Sequence, residues 1–248
     1  MKTFRGAIRR SYILTVLAAL ALWLPASTLA GADHSADNTL SRAEREAGWQ
    51  LLFDGRNLDQ WRTYGKPDAG SQWQIQDGAI VLTEGGGGDL ITRESFADFE
   101  LQLQWKIAEG GNSGIFFHAD ESELPIYVHA AEIQILDDAR HPDNKQANRR
   151  SGSLYDLIAA PAASQKPAGS WNTVVISYEN GHLQAWQNNV QTVDINLRSQ
   201  AFLDLVAQSK FADWPGFAEN VAGHIGLQDH GDVVSFRNLK IRALGQAQ

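Results

Sequence analysis

Residues 99–107 have the sequence FELQLQWKI, and this segment decides the class of fold. Phe, Leu, Trp and Ile occupy every second position, and Glu, Gln or Lys lies between them. Side chains of a β-strand alternate between the two faces of its sheet, so this pattern predicts a strand with one face in a core and the other in water. Antiparallel sheets commonly divide their faces in this way.

Short segments of the same character fill most of the remaining chain. Asp77-Gly78 and Asn180-Gly181 are hairpin signals between apolar segments. Short helices are predicted only near residues 40–46 and 201–210. A crossover α/β fold needs helices between its strands, and this sequence does not supply them. We therefore predict one all-β domain, either a sandwich or a barrel.

The first 30 residues have the features of a signal peptide. Lys and Arg occur within residues 2–10, an apolar run covers residues 12–24, and small residues precede Ala30. The run is shorter than the roughly 20 residues of a membrane-spanning helix, so we predict cleavage and no membrane insertion afterwards. Residues 31–46 are predicted to be a flexible segment and residues 47–245 the domain. The expected location is periplasmic or secreted.

Composition excludes several classes of function. The chain of 248 residues has a net charge of −8, which argues against a nucleic-acid partner because phosphate binding needs clustered Lys and Arg. It has no cysteine, so disulfides and thiol nucleophiles are excluded. The glycine run at residues 85–88 is not followed by the Lys-Ser/Thr of a phosphate-binding loop, and we predict a flexible loop there.

The segment AEIQILD at residues 131–137 is the candidate functional strand. Alternation places Glu132 and Gln134 on one face and Ile133 and Ile135 on the other. The apolar pair can anchor a core. A rigid strand would then hold the carboxylate and the amide about 7 Å apart on the opposite face.

A second segment, NSGIFFH at residues 112–118, is predicted to lie beside it. Alternation puts Ile115 and Phe117 on one face, and Asn112 and His118 on the other. His230 follows a predicted strand; it could act as an acid near neutral pH, or it could simply cap backbone in a turn.

Other polar residues have two interpretations each. Uncharged strand amides suit sugar hydroxyls and are equally common on plain surfaces; they are Asn112, Gln134 and Gln228. Arg237 could bind an oxyanion or pair with an acid. Lys210 and His118 are weaker candidates for substrate binding, because both are more easily explained as surface residues. Tyr155 could stack on a sugar ring or fill the core.

The sequence gives only weak evidence for a bound metal ion. Oxygen ligands for Ca²⁺ are present close together in the sequence, at Asp137, Asp138, Asp143 and Asn144. Their spacing fits no defined calcium loop. We expect that no cofactor is required, and Ca²⁺ is the only metal that the sequence suggests.

A set of short motifs occurs in order along the chain. They are Leu52-Phe53-Asp54-Gly55, Gly88-Asp89-Leu90-Ile91-Thr92, Asn112-Ser113-Gly114-Ile115-Phe116, Glu132-Ile133-Gln134-Ile135-Leu136-Asp137, Gly226-Leu227-Gln228-Asp229-His230-Gly231 and Phe236-Arg237-Asn238. In this ordered set the chain resembles the 3-keto-disaccharide hydrolase family, from Trp49 to Leu244.

The resemblance implies a concanavalin A-like jelly-roll sandwich and a small carbohydrate substrate, a 3-keto-glycoside. The sequence departs from the family pattern at two positions. His118 stands where relatives often have Arg, and Ala131 stands where Tyr usually precedes the Glu. These differences concern substrate detail more than the class of reaction.

A 3-keto group acidifies the hydrogen on sugar C2, so a base can remove it and the C1 oxygen can leave by β-elimination. Water then adds, and the net result is hydrolysis. We assign Glu132 as the base, His230 as the acid and Arg237 as a partner of the enolate oxygen. Direct hydrolysis needs two facing carboxylates, and Asp137 has the opposite parity to Glu132.

Two other classes of function use the same fold. One is a non-catalytic, lectin-like carbohydrate-binding module, and the other is a structural domain of a cell-surface assembly. A lectin would bind glycan without releasing product. A structural domain would bind neither sugar nor glycoside.

Overall fold

The structure is a computed structural model, and it describes residue 1, residues 37–122 and residues 125–245. The predicted signal peptide therefore lies outside the described residues, apart from residue 1. In the described part of the chain, no helix is long and apolar enough to cross a membrane.

Short antiparallel strands make up most of the domain. The strands are β1 (Gln50–Leu51), β2 (Trp61–Thr63), β3 (Trp73–Gln76), β4 (Ala79–Leu82), β5 (Leu90–Thr92), β6 (Phe99–Ile107), β7 (Asn112–Ala119), β8 (Ala131–Leu136), β9 (Asn172–Glu179), β10 (His182–Gln187), β11 (Val190–Asn196), β12 (His224–Leu227) and β13 (Val234–Ala243). The α-helices are α1 (Arg42–Glu46) and α2 (Gln200–Ala207). Single 3₁₀ turns cover Ile126–Val128, Pro142–Lys145, Ala147–Arg149 and Lys210–Asp213.

Two sheets form a sandwich. The eight-stranded sheet has the order β11-β10-β9-β6-β13-β4-β3, with β1 paired to β13, and the five-stranded sheet has the order β2-β5-β12-β7-β8. All these pairs are antiparallel. The prediction of an all-β jelly-roll sandwich is confirmed. Consecutive strands β12 and β13 belong to different sheets, which matters for the site.

The core lies between the sheets and follows the predicted alternation. In β6, Leu101, Leu103 and Trp105 are fully buried, and the residues between them are partly exposed. Ile133 and Ile135 of β8 enter the same core from the other sheet. A smaller apolar cluster covers part of the outer face of the five-stranded sheet; it contains Tyr64, Ile91, Phe116, Ala119, Ile126 and Ala130.

His118 does not lie on the predicted face of β7. Its φ of +53° and a register shift between β7 and β12 break the alternation, so both Phe117 and His118 turn toward the core. The imidazole packs against Tyr178, with ring centres 4.4 Å apart, and its Nε2 and Nδ1 lie 2.8 and 3.1 Å from the carbonyl oxygens of Ala97 and Asn220. A neutral ring has one N–H and donates it to one of these two oxygens. Burial lowers the pKa of His118, which favours the neutral ring. His118 is therefore structural, which corrects its assignment to substrate binding.

The beginning of the described chain is held against the sandwich. Asn38 is buried; its backbone N–H donates to Oδ1 of Asn238 and its side chain donates to the carbonyl of Gly78. Ser41 and Glu44 form a capping box on α1. Helix α1 confirms the short helix predicted near residues 40–46, and the order of residues 37–46 corrects the prediction that the segment is flexible. Residues 31–36 lie outside the described part.

Candidate active site

A cavity opens on the outer face of the five-stranded sheet, on the side away from the sandwich core. Its volume is about 150 Å³. Its lining combines amides, one carboxyl, one amine and aromatic rings: Asn112, Tyr127, Ala130, Glu132, Gln134, Tyr155, Lys210, Phe211, Phe217, Gln228 and His230. This set includes every residue predicted for the site except His118 and Arg237.

Three neighbouring strands form the floor. Gly114 of β7 lies opposite Gln134 of β8, and its carbonyl accepts a hydrogen bond of 3.0 Å from the backbone of Gln228. A Cβ atom at Gly114 would stand 2.0 Å from Oε1 of Glu132. The missing side chain therefore leaves the space that the Glu132 carboxyl occupies.

Glu132 is the central ionisable group of the cavity. The residue is 8% exposed, and its carboxyl makes no hydrogen bond to any described residue. Burial raises the pKa of Glu132 to about 8; the charge of Lys210 opposes this rise and that of Asp89 adds to it. A carboxyl with a pKa near the working pH and no partner is suited to proton transfer.

Lys210 supplies the positive charge. Its Nζ lies 4.2 Å from the ring centre of Tyr155 and 5.1 Å from that of Phe211, and it donates no hydrogen bond to the part of the chain that the structure describes. Burial lowers the pKa of Lys210, while Asp156 and Glu132 oppose this change. The ammonium is held by cation–π contacts, and its hydrogen-bond donors stay available to a ligand.

Three carboxamides have unpartnered oxygens inside the protein. They are Oδ1 of Asn112, Oε1 of Gln134 and Oε1 of Gln228, all buried without a hydrogen bond among the described residues. Leaving a buried acceptor unpaired costs about 1–3 kcal/mol, so these oxygens call for a donor, and a ligand in the cavity can supply it. Together they can accept hydrogen bonds from several hydroxyl groups of a sugar.

His230 lies at the exposed rim of the cavity, next to the ring of His141. Asp229 fixes the loop that carries it. One carboxylate oxygen of Asp229 accepts hydrogen bonds from the backbone of Gly86 and Gly88, at 2.9 and 2.8 Å. The arrangement gives His230 a defined position at the mouth.

The glycine run at residues 85–88 is thus part of the site's support, which corrects the prediction of a flexible loop. Gly88 has a φ of +72°, and a Cβ at Gly85 would stand 2.8 Å from the Cα of Gly231. Glycine is needed here for the close approach of two backbones and for the amide bonds to Asp229.

Arg237 lies elsewhere. It belongs to β13 of the eight-stranded sheet, and its guanidinium faces outward, where it bonds Gln104 and Asp37 and lies 4.2 Å from the ring centre of Trp171. The two sheets separate it from the cavity, so the assignment of Arg237 as a catalytic residue is corrected. The structure matches the alternative interpretation, in which Arg237 pairs with an acid, here Asp37.

Two of the carboxylates considered for Ca²⁺, those of Asp137 and Asp138, accept hydrogen bonds from backbone groups. Those of Asp137 accept from Gly110 and Ala139, and Oδ1 of Asp138 accepts from Ser151. Among the described residues, no group of three or more His, Asp or Glu could hold a metal ion. These oxygens fix the loop after β8.

Sequence reasoning missed the aromatic side of the cavity. Tyr127, Phe211 and Phe217 line it from two loop segments, and Gly114 shapes the floor without a side chain. The spacing of aromatic residues just after α2, at positions 211, 214 and 217, was the available signal. Loop residues lack the alternation that identified Glu132.

Comparisons with known proteins identify relatives of this chain. The chain is 40% identical over 228 residues to a 3-keto-disaccharide hydrolase of Bacteroides thetaiotaomicron, and the aligned region covers 79% of each protein. A candidate glycosyl hydrolase of Parabacteroides distasonis superposes with a TM-score of 0.80 at 27% identity, covering 85% of this chain and 100% of that chain. A second from the same organism gives a TM-score of 0.62 at 25% identity, covering 79% of this chain and 99% of the other.

The sequence model of one family covers most of the domain. Residues 48–242 match the 3-keto-alpha-glucoside-1,2-lyase-like domain. This match and the identity to the Bacteroides enzyme confirm the resemblance found in the sequence. The chain therefore belongs to the 3-keto-alpha-glucoside-1,2-lyase-like family.

Proposed function

We propose that this protein is an enzyme that cleaves 3-keto-glycosides by elimination followed by hydration. The observation that carries the proposal is the carboxyl of Glu132, which has no hydrogen-bond partner among the described residues and lies in a cavity lined with carboxamides. The family and its hydrolase relative support the substrate class.

Glu132 is the base that removes the C2 proton. A ketone at C3 makes this hydrogen acidic, because the resulting carbanion is an enolate. A carboxylate with a pKa of about 8 is a stronger base than an ordinary glutamate. The expelled C1 oxygen takes a proton from His230 at the rim, and a C1=C2 double bond remains, conjugated with the ketone.

Lys210 takes the role that we first assigned to Arg237. Its ammonium lines the cavity and has no hydrogen-bond partner within residues 37–122 and 125–245, so it can donate to the ketone oxygen as that oxygen becomes an enolate. Attraction between Lys210 and Glu132 also favours the ionised, basic form of the carboxyl. Water then adds to C1 and gives a proton to His230, while protonated Glu132 returns a proton to C2, so both groups recover their starting states and the net result is hydrolysis.

The lining favours elimination over direct hydrolysis. Ordinary glycosidases place two carboxyl groups across the scissile bond, about 5 to 10 Å apart. In the part of the chain that the structure describes, Glu132 is the only carboxyl among the residues that line the cavity. The proposed steps use only protein side chains, and we expect dialysis against a chelator to leave turnover unchanged.

Product analysis in D₂O tests the mechanism. The enzyme is incubated with a 3-keto-glycoside and, separately, with its unoxidised parent glycoside. Elimination and hydration leave deuterium at C2 of the released sugar, beyond the exchange seen without enzyme, and only the ketone substrate is cleaved. Equal cleavage of both substrates without deuterium at C2 would refute the proposal. Saturable binding without product would instead indicate a lectin-like module.

A further inference from the structure

We propose that Asp89 is a positioning residue for both catalytic groups: it holds the loop that carries His230, and it places a negative charge beside the Glu132 carboxyl. The proposal rests on the proposed function, because it concerns the acid and the base of that mechanism. Asp89 does not line the cavity, so it acts through other residues.

The register of the strands places Asp89 in line with the cavity floor. Strand β12 pairs with β7 on one side and with β5 on the other. Continued by one residue, this register sets Gln228 between Gly114 and Asp89. Because Leu90 belongs to the core, its neighbour Asp89 faces the outer side of the sheet, which is the side of the cavity.

The Glu132 carboxyl reaches over from β8 toward this row. It fills the space above Gly114, where a Cβ atom would stand 2.0 Å from its Oε1. Adjacent strands are about 4.8 Å apart, so two strand spacings, about 10 Å, separate the backbone of Gly114 from that of Asp89. The residue between them, Gln228, is uncharged. The two carboxyls therefore share one face of the sheet without a counterion on the intervening strand.

A hydrogen bond connects Asp89 to the loop of the acid. Its Oδ1 accepts the backbone N–H of Asp229 at 2.9 Å. The Asp229 carboxylate in turn accepts N–H groups from the glycine run at residues 85–88 and from Gly231. Asp89 thus completes a set of hydrogen bonds around the residue that precedes His230, and this set fixes the position of the acid.

Asp89 is ionised in the pH range where the base is formed. Burial raises the pKa of Asp89 to about 6; the hydrogen bond from Asp229 opposes this rise and the Asp229 charge adds to it. Glu132 titrates near pH 8, and the charge of Asp89 adds to the rise in the Glu132 pKa. A carboxylate with a higher pKa is a stronger base, so Asp89 makes Glu132 more basic.

Lys210 has the opposite effect on the same carboxyl. Its positive charge lowers the pKa of Glu132, whereas the negative charge of Asp89 raises it. Removing the charge of Asp89 should therefore move the titration of Glu132 in the opposite direction from Lys210→Met. Other ionisable groups on the surrounding elements include Asp229, His230, Tyr64, Tyr155 and the ion pair of Arg62 with Glu121.

Two substitutions separate the charge of Asp89 from its hydrogen bond. Asp89→Asn removes the charge and keeps an oxygen that can accept the N–H of Asp229. Asp89→Ala removes both. Asp98→Asn is the matched control, because the Asp98 carboxylate also accepts a backbone N–H from a distant segment, that of Asn180, and lies next to β6 of the other sheet.

The substrates are 4-nitrophenyl and methyl 3-keto-glucoside. 4-Nitrophenolate leaves without a proton, so kcat/KM for this compound, corrected for release without enzyme, reports Glu132 independently of the acid. In Asp89→Asn, we expect the midpoint of its rise with pH to fall below that of the wild type. In Asp89→Ala, we expect kcat to drop about 10-fold more for the methyl than for the nitrophenyl compound, because only the poor leaving group needs a well-placed acid.

Both results are required, and Asp98→Asn should show neither. An unmoved midpoint in Asp89→Asn, or equal losses on the two substrates in Asp89→Ala, would overturn the role of Asp89 and leave the proposed function standing. Thermal melts accompany the kinetics; if Asp89→Ala does not fold, the pH midpoint of Asp89→Asn decides alone. Failure of the wild type to cleave either compound would refute the proposed function, and the role of Asp89 with it.

Discussion

Replacing Glu132 with Gln should stabilise the protein, and by an amount that depends on pH. In the folded protein only 8% of Glu132 is exposed, and burial raises the pKa of its carboxyl from 4.5 to about 8. Ionisation is therefore easier in the unfolded chain than in the folded one. Gln keeps the shape of the side chain and cannot ionise.

The sign follows from proton binding. Below pH 4.5 the carboxyl is protonated in both the folded and the unfolded state, so it does not change the free energy of unfolding with pH. Between pH 4.5 and 8 the unfolded chain has lost the proton while the folded protein retains it, so stability falls as pH rises. Each pKa unit corresponds to about 1.4 kcal/mol, so the full cost above pH 8 is about 5 kcal/mol, and at pH 7 it is about 3 kcal/mol.

The measurement is the free energy of unfolding by denaturant, for wild type and Glu132→Gln, from pH 4 to pH 9. We expect the difference to grow by about 5 kcal/mol across this range. The amide itself can add a constant offset, so the slope is the decisive quantity. Glu84→Gln, at an exposed position, is the control and should change stability little. A difference that stays constant with pH would refute the burial argument.

Four other predictions concern catalysis and processing. Glu132→Gln should lower kcat by about 10²-fold or more with little change in KM, and His230→Gln should slow substrates with poor leaving groups most; both are read from steady-state kinetics on alkyl and aryl 3-keto-glycosides. In wild type, kcat/KM should rise with pH until Glu132 is ionised near pH 8. Lys210→Met should move the midpoint of this pH profile upward, and an unchanged midpoint would exclude electrostatic coupling between Lys210 and Glu132. Gly114→Ala should reduce kcat with little loss of stability, because the new methyl group displaces the Glu132 carboxyl; unchanged kinetics would contradict this. N-terminal sequencing of exported protein should begin near Gly31, whereas an intact amino terminus in the membrane fraction would contradict cleavage and export.

Local periodicity was enough to identify much of this protein. The alternation in residues 99–107 established a strand with one buried face, and the alternation around Glu132 separated the polar pair from Ile133 and Ile135. These features depend only on the two-residue repeat of a strand, which is present in the local sequence whichever sheet the strand joins. Ordered motifs then identified the family.

The tertiary structure decided which polar residues meet. Arg237 has the polar position expected of an outward-facing strand residue, but β13 joins the sheet opposite the cavity. Strict alternation would place His118 on the outer face, yet its own positive φ turns its side chain into the core. Lys210 and Tyr127 reach the cavity from loops that have no repeating pattern. Sheet membership, bulges and loop paths depend on contacts between distant parts of the chain, and a local pattern carries no information about them.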